Sequence, residues 1–221
     1  MNTGDFIYID YIGKIKDTKE IFDLTKEDVA KKEGIFKPEF KYGPVPVVVD
    51  ANFVLPGLND ALKEMNVGDK KTVEIPPEKA FGQRNVELIK LLPEARFKEQ
   101  NIDTKPGSFV TINRIKGRII SSDGGRVKID FNHPLAGKVL EYELEIVSEI
   151  KEIVEKVKAI AYFFTGLGKN EIGAEVKDKN AEINIKSNVE IPKEVKSNIA
   201  KGIIKWVQGI ERVKFIEVFE K

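Results

Sequence analysis

The chain of 221 residues contains no cysteine, two methionines, one tryptophan and one histidine. Without cysteine it can form no disulfide and has no thiol nucleophile, as is common in a reducing compartment. Its one histidine, His133, cannot build a histidine-rich metal site, and we expect it to be a loop residue before Pro134. We therefore predict neither a metal nor another cofactor.

Long apolar runs and a strong net charge are also missing. No uncharged apolar run approaches the roughly 18 residues that a membrane span needs, and the first ten residues lack the basic and apolar segments of a secretory signal. The formal net charge is +1, and the lysine-rich stretches 26–37 and 186–201 contain interleaved acids, which is typical of solvated faces. We expect a cytoplasmic protein with no nucleic-acid or membrane partner.

Residues 53–82 are the most informative segment. Pro56 and Gly57 stand where a helix can begin, because the missing proline N–H costs least there. Apolar residues then recur at helical spacing, and the turn 66–69 separates this helix from a strand with alternating polarity. None of its acidic, basic or hydroxyl side chains stands out as a catalytic acid, base or nucleophile. It predicts a short helix laid against a sheet, with apolar side chains at its mouth.

This segment resembles the FKBP-type peptidyl-prolyl isomerases, which have a similar turn at the start of the helix beneath their proline pocket. Other separated segments match the family in the same order. The matching segments are 5–13, 21–23, 54–58, 75–82, 132–137 and 140–146. The resemblance covers roughly residues 1–150, and the layout is similar to the long archaeal form of the SlyD-like branch.

The resemblance implies an α+β fold, with an FKBP-like antiparallel half-barrel sheet wrapped on a short helix. We expect the isomerase domain to comprise residues 1–82 plus 134–150. Residues 83–133 would form a small inserted β-rich domain, and residues 151–221 a C-terminal α/β domain of order α-β-β-α-β. An insertion requires that its two ends lie close together on the host.

The insertion has its own periodicity and resembles the insert-in-flap domain of SlyD-like isomerases. We expect a strand over 85–93, a helical turn over 93–97, a strand over 109–112 and a hairpin over 118–131. Its apolar residues either pack within this small module or leave an exposed groove or sheet edge that binds unfolded chains. The candidate client-binding residues are Leu88, Ile89, Leu91, Leu92, Phe97, Ile112 and Ile119.

The C-terminal segment of about 70 residues is near the lower limit for a domain that folds alone. The predicted elements are a helix over 150–164 ended by Gly166, strands over 172–176 and 181–185, a helix from Pro192 to Gly209, and a strand over 213–219. The apolar faces of the helices and the family resemblance lead us to expect a homodimer through this domain.

The resemblance also assigns a proline pocket. Its implied lining residues are Tyr11, Phe22, Val54, Leu55, Leu58, Phe81 and Tyr142. Asp23 and Tyr11 would form a polar pair at the side, and the Leu55 N–H would donate to the bound peptide. Many relatives have tryptophan where this chain has Leu58. One further aromatic would come from residues 36–42, where Phe36, Phe40 and Tyr42 remain alternatives.

Judged alone, these aromatic residues would be ordinary core residues on strands; their order and neighbours favour the pocket. The expected activity is peptidyl-prolyl cis-trans isomerisation combined with chaperone action on unfolded or partly folded proteins with X-Pro bonds. Isomerisation needs no general base or metal, because the barrier of about 18–20 kcal/mol is lost amide resonance. The alternative is a non-catalytic holdase chaperone that keeps the pocket, and an interaction module built on the C-terminal domain is a third reading.

Overall fold

A computed structural model describes residues 1–168, 170–185 and 190–216. Residues 1–75 together with those from 140 onward form one compact unit, here the main unit, and residues 76–139 form the inserted unit. The strands are β1 (Phe6–Ile15), β2 (Ile21–Leu24), β3 (Val45–Val48), β4 (Lys70–Ile75), β5 (Ile89–Pro93), β6 (Phe109–Ile112), β7 (Ile115–Asp123), β8 (Arg126–Asp130), β9 (Leu140–Glu149), β10 (Ile172–Lys177), β11 (Asn180–Ile185) and β12 (Arg212–Ile216). The α-helices are α1 (Glu27–Lys32), α2 (Pro56–Lys63), α3 (Ala95–Lys98), α4 (Ile153–Thr165) and α5 (Lys193–Trp206).

The main unit contains an antiparallel sheet in the order β2-β1-β9-β4, with β3 also paired to β1. Helix α2 packs on β4, and its buried side chains are Leu58, Ala61 and Leu62. At Gly57 the helix backbone lies very close to β4. A Cβ there would be 2.4 Å from Cγ2 of Ile75, so the second helical position requires glycine. The predicted α+β class, with an antiparallel sheet against a short helix, is confirmed.

The C-terminal part of the main unit has the predicted α-β-β-α-β order. Its sheet runs β10-β11-β12, with β10 antiparallel and β12 parallel to β11. The structure places the last strand at β12; of the range 213–219 predicted for it, residues 217–219 lie outside the described part of the chain. Gly166, at φ 66°, ends α4 as predicted.

One hydrophobic core joins this C-terminal part to the first sheet. Phe6 and Val48, from β1 and β3, belong to the same buried cluster as Val157, Ile160 and Ile203 from α4 and α5. The apolar faces of both helices are therefore used within the chain, because they cover one side of that core. The homodimer stays a prediction, because the apolar helix faces that led us to expect it are buried within the chain itself. The division into three domains also stays a prediction.

The inserted unit is a four-stranded antiparallel sheet in the order β5-β8-β7-β6, with α3 beside it. Between β7 and β8, Gly124 and Gly125 have φ values of 52° and 74°, the left-handed pair that a tight hairpin turn of the predicted kind needs. The chain leaves the main unit at Ile75 and returns at Leu140, which are register partners in β4 and β9. The two ends of the insertion are thus adjacent.

Two elements have no counterpart in the sequence-based expectations. Helix α1 falls in the lysine-rich stretch interpreted as a solvated face; Ala30 is its buried residue, and Lys31 pairs with Glu27 one turn away. Strand β3 is short and contains Pro46. Within the described ranges, no helix has the length and apolarity that crossing a membrane would take.

Candidate functional site

A hydrogen-bonded pair, Tyr11 and Asp23, lies where β1 and β2 run side by side. The Tyr11 hydroxyl donates to Oδ2 of Asp23 at 2.9 Å. The backbone of Tyr11 is fixed by Thr25, whose Oγ1 accepts from the Tyr11 N–H at 2.9 Å while its hydroxyl donates to Asp10 at 2.6 Å. The structure therefore brings together the polar pair that the resemblance implies.

Burial controls the protonation of this pair. Burial, and next the charge of Asp23, raises the pKa of Tyr11 above its ordinary value. Burial also raises the pKa of Asp23, opposed by the hydrogen bonds it accepts from the Tyr11 hydroxyl and the Leu24 N–H. The pKa of Tyr142 is raised mainly by burial and further by Asp23. Both phenols are protonated near neutral pH, and the Tyr11 hydroxyl is the donor to Asp23.

Aromatic rings from three strands surround the pair. The Tyr142 ring, on β9, meets the rings of Tyr11 and Phe22 edge to face, each at 5.7 Å between centroids. A Cβ on Gly13 would lie 2.9 Å from both Cζ of Phe22 and Cε1 of Tyr142. Glycine at this position of β1 therefore leaves the space that the two rings occupy.

A cavity of about 330 Å³ opens beside Tyr11 and Asp23. Phe40 and Tyr42 line it, whereas Phe36 stacks on Tyr42 at 5.4 Å between centroids. Two of the three alternatives thus line this cavity and the third contacts one of them, while the choice of the aromatic that joins the proline pocket stays open. The size of the cavity is at the lower end of the range of about 300–1,000 Å³ typical of ligand pockets.

The cavity also has lining residues that the sequence did not indicate. Tyr162 and Gly166, at the C-terminal end of α4, form part of its wall. These residues come from the segment assigned to a separate C-terminal domain. No local pattern indicates the contact, because it depends on how α4 packs against the first sheet.

Val54, Leu55 and Leu58 lie at the start of α2, which packs on β4, two strands from β1. Leu58 is only 3% exposed, whereas Val54 and Leu55 are half-buried. Leu55 is the N-cap of α2 and its carbonyl accepts from the Asn59 N–H at 3.0 Å. An N-cap enters the helical ladder through its carbonyl, so the Leu55 N–H is not used by the helix. None of these three residues lines the cavity beside Asp23, and their assignment to the proline pocket stays a prediction.

Phe81 belongs to the inserted unit. Its ring stacks on that of His133, with 4.2 Å between centroids and 6° between planes. His133 is exposed and its Nδ1 accepts from the Leu135 N–H at 3.2 Å. The histidine is a loop residue before Pro134, as expected, with the additional role of holding Phe81. Over the described ranges, no group of three or more acidic or histidine side chains is arranged to hold a metal ion.

The predicted client-binding set divides by exposure. Phe97 and Ile119 are 2% and 1% exposed in the core of the inserted unit. Including them was wrong, because in so small a unit these large side chains are needed to form the core and leave no surface for a client. Leu92 and Ile112 are partly buried against the same core.

Other apolar residues of the inserted unit are on its surface. Leu88 and Leu91, from the predicted set, are 42% and 53% exposed, and Ile89 is half-buried. Four exposed apolar residues were not predicted, namely Val86, Phe109, Ile115 and Ile120. Ile120 could not be assigned from alternation because a bulge shifts the register of β7 between Ile119 and Ser121. The exposed apolar surface is therefore larger than the sequence indicated.

Comparison with known proteins identifies three segments. A family model described as FKBP-type peptidyl-prolyl cis-trans isomerase matches residues 1–98. A model for the FKBP26 IF domain matches residues 90–135, and a model for the FKBP26 C-terminal region matches residues 153–220.

Named relatives agree with these matches. The chain is 34% identical over 143 residues to a short-type peptidyl-prolyl cis-trans isomerase of Methanocaldococcus jannaschii, covering 65% of this chain and 90% of that protein. It is 25% identical over 130 residues to the SlyD isomerase of Helicobacter pylori, covering 57% of this chain and 69% of that protein. A crystal structure of the three FKBP domains of wheat FKBP73 has a TM-score of 0.36 and 20% identity, over 68% of this chain and 40% of its own, and adds nothing to the assignment. The chain therefore belongs to the FKBP-type peptidyl-prolyl cis-trans isomerase family, with the IF and C-terminal domains of FKBP26.

Proposed function

We propose that this chain isomerises X-Pro bonds in the cavity beside Tyr11 and Asp23 and holds unfolded client chains on its inserted unit. The observation that carries the catalytic part is the Tyr11–Asp23 hydrogen bond of 2.9 Å within a cluster of aromatic rings. The cavity combines aromatic lining residues, among them Tyr11 and Phe40, with polar ones, among them Asp23, Thr25 and Glu39. It therefore offers a prolyl ring aromatic contacts beside oriented polar groups.

The chemistry follows from the amide itself. Rotation about an X-Pro bond is slow because the twisted amide loses its resonance, a barrier of about 18–20 kcal/mol. The planar amide is more polar than the twisted one, so a cavity that excludes water disfavours the planar form more. Each tenfold increase in rate needs about 1.4 kcal/mol. Desolvation and one or two placed hydrogen bonds are therefore sufficient for useful catalysis.

Each group has a distinct part in this scheme. The Tyr11 ring lines the cavity and packs against Tyr142, which in turn packs on Phe22, and the Tyr11 hydroxyl holds the Asp23 carboxylate in place. That carboxylate is a fixed charge beside the bound amide and acts without reorganisation as the amide loses its charge separation. The Leu55 N–H, not used by α2, donates to a carbonyl of the bound peptide.

The test is the cis-to-trans rate of a short X-Pro peptide with and without the full chain. We expect acceleration that falls at least about tenfold in Asp23→Ala, the loss that removing one oriented charged group produces. Asp17→Ala is the matched control, since Asp17 is an exposed turn residue beyond β1. A folded wild-type protein that does not accelerate the peptide would refute the catalytic claim.

The client-binding part rests on the surface of the inserted unit. Leu91 and Phe109 are 53% and 54% exposed on its two edge strands, β5 and β6. An edge strand with apolar side chains can pair with an extended chain by strand addition. We expect Leu91→Ser with Phe109→Ser to weaken suppression of aggregation of an unfolded protein. Val67→Ser, which removes a 48% exposed apolar side chain from the main unit, is the control.

The alternative function is a holdase that retains the pocket without using it. It is favoured by the same exposed apolar residues, which do not depend on catalysis. Peptide isomerisation and aggregation suppression, both measured on wild type and Asp23→Ala, distinguish the two functions. The holdase predicts that wild type and variant suppress aggregation equally and that neither accelerates the peptide.

A further inference from the structure

The cavity beside Tyr11 and Asp23 is not built by the isomerase sheet alone. Tyr162 and Gly166, from the C-terminal end of α4, line it together with Phe40 and Tyr42. The C-terminal segment therefore contributes directly to the surface that a bound peptide would meet. Nothing in the family matches assigns a role to these two residues.

The position of Tyr162 is fixed by the helix that carries it. Its neighbours Ile160 and Ala161 are fully buried, and the Tyr162 side chain is half-buried against the same core. The Tyr162 carbonyl accepts from the Gly166 N–H at 2.7 Å, and the Thr165 hydroxyl donates to the Ala161 carbonyl at 2.8 Å. The ring thus faces the cavity from a rigid element, which suits a residue that selects among substrates.

Lys41 joins the other side of the cavity to the end of α4. Its ammonium donates to the Gly166 carbonyl at 3.1 Å and pairs with Glu171 at 2.8 Å. Glu171 also accepts from the Gly168 N–H at 2.6 Å. Phe40, Tyr42 and Tyr162 form an aromatic part of the wall, and the polar residues Thr25, Glu39 and Lys41 line the cavity beside it.

A further observation places Tyr162 close to Tyr11. Tyr162 contributes to the raised pKa of Tyr11, after burial, Asp23 and Tyr142, so the two phenols are within electrostatic reach.

We propose that Tyr162 is a specificity-determining residue of the isomerase cavity, whose ring packs against the residue flanking the substrate proline. This rests on the proposed function. The aromatic wall favours a large apolar or aromatic flanking side chain, because ring–ring and ring–aliphatic contacts there replace contacts with water. Alanine is too short to make these contacts.

The test compares kcat/KM for peptides that differ in the residue before or after proline, phenylalanine against alanine, with the full chain. At the flanking position that contacts Tyr162, we expect the ratio of kcat/KM for phenylalanine over alanine to fall about three- to tenfold in Tyr162→Ala. This is the range that one aromatic contact produces. Tyr162→Phe should keep the ratio, because it keeps the ring. Lys158→Ala, one turn earlier on α4, is a control for general effects on the helix.

The outcomes are distinct. If wild type does not accelerate any peptide, the proposed function fails. If wild type is active and both ratios are unchanged in a folded Tyr162→Ala, the inference on Tyr162 is overturned while the function stands. If Tyr162→Ala does not fold, the test is an NMR measurement on the wild-type protein with bound peptide. We expect contacts between the Tyr162 ring and the residue that flanks proline, and their absence refutes the assignment.

Discussion

Removing the Tyr11 hydroxyl should raise the pKa of Asp23. The hydroxyl donates to Oδ2 of Asp23 at 2.9 Å, and this bond opposes the raising of the carboxyl pKa by burial. A hydrogen bond to a charged group contributes about 1.5–3 kcal/mol. Because Asp23 is also in contact with solvent, water replaces part of the lost bond, and we take about half, roughly 0.75–1.5 kcal/mol.

One pKa unit corresponds to 1.36 kcal/mol, so Tyr11→Phe should raise the pKa of Asp23 by about 0.5–1 unit. The same change has a consequence for stability. Since the folded-state pKa of Asp23 lies above its ordinary value, ionising it costs stability as the pH rises through that pKa. The variant enlarges this cost, so its loss of stability relative to wild type should be greater at pH 7 than at pH 3.

The assay is a carbon-13 NMR titration of the aspartate carboxyl groups, with urea unfolding at the two pH values. Tyr42→Phe is the control, because it removes a hydroxyl from the same cavity that accepts from the Lys37 N–H at 3.0 Å and that, within the described part of the chain, does not bond to Asp23. It should leave the Asp23 pKa unchanged. An Asp23 pKa that is unchanged or lower in Tyr11→Phe would refute the reasoning.

Three other substitutions test a close helix–strand contact, an ion pair and the core of the inserted unit. Gly57→Ala should lower the free energy of unfolding by about 1–2 kcal/mol in urea, since its Cβ would lie 2.4 Å from Ile75 and overpacking outweighs the gain in helix propensity; an equal or higher stability would contradict the close contact. Asp50 pairs with Lys63 at 2.6 Å, and hydrogen bonds from Lys63, Thr3 and Asn59 lower its pKa to about 2; the stability lost in Asp50→Asn should be greatest above pH 4 and shrink as the pH falls towards 2, and a pH-independent difference would exclude this linkage. Phe97→Ala should destabilise the inserted unit by about 3–5 kcal/mol, seen as faster amide hydrogen exchange in residues 76–139 with unchanged peptide isomerisation, whereas unchanged exchange would mean that Phe97 is not a core residue.

The sequence predicts those parts of the fold whose determinants are local. Pro56 indicates the start of α2, where its fixed φ and missing N–H are tolerated. Gly124 with Gly125 indicates the β7–β8 turn, because both positions have positive φ. The order of the C-terminal elements followed from helical and alternating periodicity and from Gly166 as a helix end. Such signals do not depend on the rest of the chain.

The remaining features depend on contacts between distant segments. Tyr162 reaches the cavity only because α4 shares a core with β1 and β3, and an apolar helix face does not say what covers it. In the same way, the apolarity of Phe97 and Ile119 could not distinguish a core residue from a client-binding one. The Tyr11–Asp23 pair was found through resemblance to a family, since a tyrosine and an aspartate twelve residues apart carry no signal by themselves.

The pairing of Ile75 with Leu140 has a consequence for how the chain folds. Strands β4 and β9 are neighbours in space but are separated in sequence by the whole inserted unit, so joining them from the unfolded chain means closing a long loop. If the inserted unit folds first, its two ends are held close together and the loop becomes effectively short. Pairing of β4 with β9 then resembles the closing of a hairpin, and the order of folding sets how fast the cavity-bearing sheet is completed.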